Sequence, residues 1–164
     1  GGGGRLRGGG GNPADEIAAI ADTLDAEVLL PTDLAYVDAD GQRAEVDVAS
    51  IESKTTPYLD IGTATAERYA AAVAPAAAVF VKGALGVFED PRFATGTVTV
   101  LEAIADGDAY SVVGGGDTSR AVPLYDLDPD GFDHLSIAGG AYLTALSGAS
   151  LVGVDVLSTA TTAP

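Results

Sequence analysis

Two stretches decide how this chain folds: AAAVFV (Ala76–Val81) running into KGALG (Lys82–Gly86), and AYSVV (Ala109–Val113) running into GGGDT (Gly114–Thr118). Each is a short, nearly continuous apolar run closed by glycines. Continuous apolar runs suit strands covered on both faces, as in parallel sheets, whereas half-solvated strands alternate. Helical periodicity lies between and after them: Val98, Leu101 and Ile104 share a face of a helix expected over Thr95 to Asp106, and GGGD opens another to about Tyr125. The same unit recurs once more, with a strand at His134–Ile137, then Ala138-Gly139-Gly140, then a helix ending near Gly148. Strand–helix alternation predicts an α/β fold, a parallel sheet flanked by helices in three layers like a Rossmann sandwich. Right-handed crossovers then bring every strand-to-helix turn to the same sheet edge.

Upstream, Tyr58–Gly62 precedes a helix expected over Thr63 to Val73, with Thr63 as its cap. Leu34–Asp38 and Ala44–Val48 alternate around Asp40-Gly41, a hairpin signal, and Ser50–Pro57 reads as loop. Glu27–Pro31 reads as a short buried strand. Asn12 and Pro13 start a helix to about Asp25, with Ile17, Ile20 and Leu24 on one face. Residues 1–11, GGGGRLRGGGG, read as a flexible lead-in, residues 12–157 as the α/β domain, and residues 158–164 as a tail after a last short strand at Val152–Leu157.

Composition narrows the function. The 164 residues carry 8 Lys+Arg against 24 Asp+Glu, a net charge of −16. That argues against nucleic acid and anionic membranes as partners, since both need a cationic surface. With no cysteine and His134 the single histidine, thiol nucleophiles, cysteine zinc sites and multi-histidine metal sites are excluded. A mean hydropathy of +0.25 provides enough apolar material for a core. An acidic, lysine-poor shell over a small-residue core predicts salt adaptation, with a melting temperature that rises along a salt series. No signal peptide or membrane span is recognisable, so the expected compartment is the cytoplasm.

The glycine turns carry the chemistry. One glycine suffices for a tight turn, but three before Asp117-Thr118 at a helix start leave backbone N–H groups open to an anion. A carboxylate beside phosphate makes sense with Mg2+ between them. The plainer alternatives are an N-cap for Asp117 and a first-turn residue for Thr118. Neither a P-loop nor a G-x-G-x-x-G fingerprint is present. His134 is expected to pack or hydrogen-bond, and Asp126–Asp130 to form a solvated acidic loop.

These motifs in this order resemble the C-terminal, nucleotide-binding domain of phosphoglycerate kinase. Lys82–Glu89 (KGALGVFE) is similar to the family's N-G-P-x-G-V-F-E loop, Gly96-Thr97 to the start of its next helix, Gly114–Thr118 to its G-G-G-D-T/S, and His134–Ala141 to its H-x-S-x-G-G-G-A. Leu29–Asp33 and Tyr58–Gly62 look like its L-L-P-x-D and D-I-G segments.

The resemblance implies ADP or ATP with Mg2+ as ligand. It implies that Glu89 accepts from the ribose hydroxyls and that Gly83, Leu85 and Val87 line the adenosine pocket. Asp117 would bind the Mg2+. Thr118 with Gly114, Gly115 and Gly116 would face the phosphates, and Gly139 and Gly140 would present N–H groups near the transferred phosphoryl. The implied reaction moves a phosphoryl group between 1,3-bisphosphoglycerate and ADP in glycolysis, in a protein usually monomeric. A non-catalytic Mg-nucleotide module, or a remnant without function, is the alternative.

Three departures stand out: Lys82 replaces the family asparagine, Ala84 the proline and Ala138 the first glycine of the last turn. The basic N-terminal domain that binds 3-phosphoglycerate and the unit carrying G-x-K have no counterpart, so the chain is expected to be truncated on its N-terminal side. Exposed sheet edge should then lower stability or promote self-association.

Overall fold

The computed structural model of the chain describes residues 27–52 and 55–136. It divides into two units, one ending at Leu30 and one starting at Pro31. The helix expected from Asn12, the glycine-rich lead-in, the Ala138–Gly140 turn with its helix, the Val152–Leu157 strand and the tail all lie outside the described residues.

Of the first unit, Glu27–Leu30 are described, and they correct an expectation. These residues are irregular backbone and not a buried strand, with Leu30 63% exposed. Apolar side chains alone do not make a strand, and Pro31 has no N–H to donate to a ladder.

Among its described residues, the second unit holds two three-stranded sheets. The first has β1 (Asp33–Val37) between β2 (Arg43–Asp47) and β3 (Tyr58–Ile61), all antiparallel. The β1–β2 hairpin turns at Asp38–Gln42, where Gly41 takes a φ of +76°. The Asp38 carboxylate accepts from the Asp40 and Gln42 N–H groups and closes this turn. β3 departs from the expected parallel pattern, because it completes this antiparallel sheet on the free edge of β1. The rings of Tyr36 and Tyr58 meet there edge to face at 6.2 Å.

The second sheet is parallel, ordered β4 (Ala78–Lys82), β5 (Tyr110–Gly114), β6 (His134–Ser136). The central strand β5 is buried from Ser111 to Gly114. Helix α1 (Thr63–Val73) packs along α2 (Thr95–Ala105), which also touches β3 and α3 (Gly116–Leu124). The expected face of α2 holds: Leu101 and Ile104 are buried, and Val98 packs against the same core. Phe88, Val113, Val122 and Phe132 complete it. Burying one such side chain contributes about 1.5–3 kcal/mol. The Asp126–Asp130 run is a largely exposed loop, with Asp128 capping a short 3-10 turn at Pro129–Gly131.

Thr63 does not cap α1. The cap position is Gly62, whose absent side chain leaves room for Asp33: a Cβ there would lie 2.1 Å from its carboxyl. Asp33 accepts from the Ala64 N–H (3.1 Å), the Thr65 N–H (2.8 Å) and the Thr65 hydroxyl, so β1 caps α1 across 30 residues of chain. Burial works against the Asp33 charge, but these hydrogen bonds outweigh it and hold the carboxyl below its ordinary value. Thr63 instead donates its hydroxyl and its N–H to Glu45.

Candidate nucleotide site

The carboxyl ends of the parallel strands are level: Lys82 pairs with Gly114, and Gly114 with Ser136. Both described glycine turns therefore leave from one sheet edge, as the alternation predicts. Gly83 and Gly115 take φ of +96° and +105°, a region that side chains avoid. The Gly83 N–H donates to Thr118 Oγ1 at 2.9 Å, joining the first turn to the first turn of α3. The Gly115 N–H donates to the Ser136 carbonyl at 2.8 Å, joining the second turn to the end of β6.

Gly116 is different. Its φ is not among the positive ones, and a Cβ there would meet nothing within 4 Å. Neither backbone conformation nor crowding within the described protein calls for glycine here. The N-cap of α3 is Gly115, so Asp117 is not the cap; it sits in the first turn. Its side chain is 81% exposed, with Arg120 3.7 Å away. Thr118 is buried, and its Oγ1 serves as an acceptor for Gly83.

The loop from Gly83 to Asp90 returns over β3 and α3. The Leu85 N–H donates to Thr97 Oγ1 at 3.0 Å and the Val87 N–H to the Leu59 carbonyl at 2.7 Å. Phe88 is buried, and its carbonyl accepts from the Tyr125 hydroxyl. Burial, with the charges of Asp90 and Glu89 nearby, holds that phenol above its ordinary range. Phe88 is buried, while its neighbours Val87 and Glu89 are exposed. The structure thus joins Gly83 directly to Thr118, while Leu85 is tied to Thr97 and Val87 to Leu59. Gly139 and Gly140 lie outside the described residues. His134 is an exposed strand residue with a partner of its own.

Among the described residues, no group of three acidic or histidine side chains is arranged to hold a metal. A single exposed carboxylate fits Mg2+ that keeps water and ligand oxygens in its remaining positions, and does not fit an all-protein cage.

Three charged residues that organise the neighbourhood escaped attention as sites. Asp60 is 4% exposed; its Oδ2 accepts from Arg43 Nη1 (3.0 Å) and from the Gly96 N–H (3.0 Å), and its Oδ1 from the Ile61 N–H (2.9 Å). Burial pushes its carboxyl above the ordinary value, and the Gly96 N–H and Arg43 offset this only in part. Arg43 also donates to the Arg92 and Ile61 carbonyls and lies over the Phe93 ring. Asp33 is the third. The available signal was a charge inside an otherwise apolar strand just before a glycine, Asp60 in YLDIG.

The fold and this edge define an α/β protein of the kind that takes ligands at the carboxyl ends of its parallel strands. The phosphoglycerate kinase family model matches residues 10–149, and the chain belongs to that family. A phosphoglycerate kinase of Halorubrum lacusprofundi is 57% identical over 88% of this chain and 35% of its own length. One from Haloarcula marismortui is 54% identical over 88% of this chain and 36% of its own length. The salt-adapted composition fits relatives from halophilic archaea. Among solved structures, the phosphoglycerate kinases of Coxiella burnetii and Pyrococcus horikoshii superpose with TM-scores of 0.73 and 0.72 at 30% and 36% identity. Each alignment covers 84% of this chain, and 36% and 34% of those chains respectively. The chain spans about a third of the length of the curated relatives it matches. Among the described residues, no helix is long and apolar enough to cross a membrane.

Proposed function

We propose that this chain is the ADP/ATP-binding part of a phosphoglycerate kinase. In the whole enzyme it would serve phosphoryl transfer between 1,3-bisphosphoglycerate and ADP, in the cytoplasm. The observation that carries the reading is the Gly83–Thr118 hydrogen bond at 2.9 Å, which holds the 82–89 loop against the 114–118 turn. Gly116 adds to it: a glycine with an ordinary φ and open space beside it suits close approach of a ligand.

Glu89 accepts from the ribose hydroxyls, and Gly83, Leu85 and Val87 line the nucleoside pocket. The N–H groups at the start of α3 face the phosphates, where the helix dipole favours negative charge. Thr118 Oγ1 accepts from Gly83 and keeps its own proton to donate. Asp117 holds the Mg2+, which when bound neutralises phosphate charge. Gly139 and Gly140 present N–H groups to the transferred phosphoryl. Positioning and charge neutralisation are most of what such a transfer needs. The 3-phosphoglycerate side would be supplied by the part of the relatives that this chain does not span. The full-length protein is expected to be a monomer.

Calorimetric titration with Mg-ADP tests the site. Asp117→Ala and Glu89→Ala should each weaken binding by about tenfold or more, roughly 1.4 kcal/mol. Unchanged affinity in both variants overturns the assignment. A coupled kinase assay distinguishes an active fragment from a module that binds Mg-nucleotide without catalysis.

A further inference from the structure

We infer that Arg43 and Asp60 are positioning residues for the nucleoside half of the proposed site, acting by holding the Gly86–Gly96 segment in place; this rests on the nucleotide reading above. The segment carries Val87 and Glu89, and both of its ends close on one carboxylate. A Cβ at Gly86 would lie 2.3 Å from Asp60 Oδ1, and one at Gly96 2.5 Å from it. The carboxylate therefore occupies space that any other residue at either end would fill. It receives the Gly96 N–H directly, at 3.0 Å.

Arg43 completes the hold. One Nη1 reaches both Asp60 Oδ2 (3.0 Å) and the Arg92 carbonyl (2.9 Å), and Nη2 reaches the Ile61 carbonyl (3.1 Å). A planar guanidinium holds five N–H donors in a fixed, spread fork that reaches acceptors in separate places, whereas an ammonium offers three at a single point on a flexible stem. The phosphate half meets this loop at the Gly83–Thr118 hydrogen bond but has further supports that involve neither Arg43 nor Asp60: Gly115 is tied to Ser136, and α3 packs on β5 and β6. Disturbing Arg43 or Asp60 should thus affect nucleoside contacts more than phosphate contacts.

The donor count shows why a carboxylate is required. Arg43 and the Gly96 N–H use one oxygen and the Ile61 N–H the other. An asparagine has a single acceptor oxygen and turns an NH2 toward one of these donors.

The test compares Mg-ADP with Mg-pyrophosphate as calorimetric probes, on the full chain and on Arg43→Lys, with Asp60→Asn as the second variant. We expect the ratio of ADP to pyrophosphate affinity to fall severalfold in both variants, with pyrophosphate affinity unchanged. In parallel, amide hydrogen exchange in residues 87–96 should accelerate in both variants, with that of 116–124 unchanged. A chain that binds Mg-ADP but whose affinity ratio does not move in Arg43→Lys overturns this inference alone. So does a parallel loss of both affinities, which marks a purely structural role. An unsubstituted chain that binds no Mg-ADP overturns the nucleotide reading and this role with it. If one variant fails to fold, the other carries the same comparison.

Discussion

The two sheets solve the same task, presenting a loop at a defined place, by opposite physical means. The parallel sheet does it with apolar strands: β5 is buried along most of its length, and the turns at its carboxyl edge are glycine. The antiparallel sheet does it with charge. Asp33 caps α1, Glu45 binds Thr63, and Asp60 with Arg43 grips the segment that runs to α2. A continuous apolar strand has no charge to offer its loops. The antiparallel strands are mostly half-buried, and place their loops with ion pairs and hydrogen bonds instead.

The contrast is sharpest if the buried pair is broken from one side. Arg43→Leu leaves Asp60 buried without its cation, and should destabilise the protein by about 3–5 kcal/mol. The sign of the pH effect is distinctive. Asp60 already has a folded-state pKa above its ordinary value, and loss of Arg43 raises it further. Acidification protonates Asp60 in the folded protein first, so the variant should recover stability relative to the parent as pH falls through that raised pKa. Denaturant melts from pH 7 to 4 read this out; a gap that stays constant breaks the comparison.

In the parallel half, Leu101→Ala should cost about 2–5 kcal/mol by leaving a cavity in the core cluster that also holds Ile104 and Val113. That loss should not vary with pH over the same range, since no titrating group takes part. A matching pH dependence would show that the two halves are not built on different physics.

The cap across the chain gives a smaller effect. Asp33→Ala should cost about 0.5–2 kcal/mol, as for loss of other helix caps. Asp33 has a folded-state pKa below its ordinary 3.8, so its contribution is complete above that value and is lost as pH falls through the folded one. The gap between parent and variant should therefore close below about pH 4. If it persists in acid, the carboxylate is not the cap.

Much of this could be read without coordinates. The apolar runs ending in glycines announced the parallel strands, and Asp40-Gly41 announced the hairpin. The face of α2 followed from Val98, Leu101 and Ile104. The 82–89 loop and the 114–118 turn stood out because stacked glycines are hard to justify by turn geometry alone. Glu27–Pro31 misled because its composition is that of a strand while its backbone is irregular. Thr63 misled because hydroxyl residues usually cap locally, and here a residue 31 positions upstream of Ala64 fills the space that Gly62 leaves.

The amino-acid sequence by itself determined most of the described strands and helices, the position of the glycine turns, the acidic composition and the family. These are local or compositional properties, carried by neighbouring residues. Only the tertiary structure decided that β3 joins the antiparallel sheet, that Gly83 meets Thr118, and that Asp60 closes the Gly86–Gly96 segment with Arg43. Each of those is a contact between residues far apart in the chain, where a polar group finds its partner only once the packing around it has excluded water.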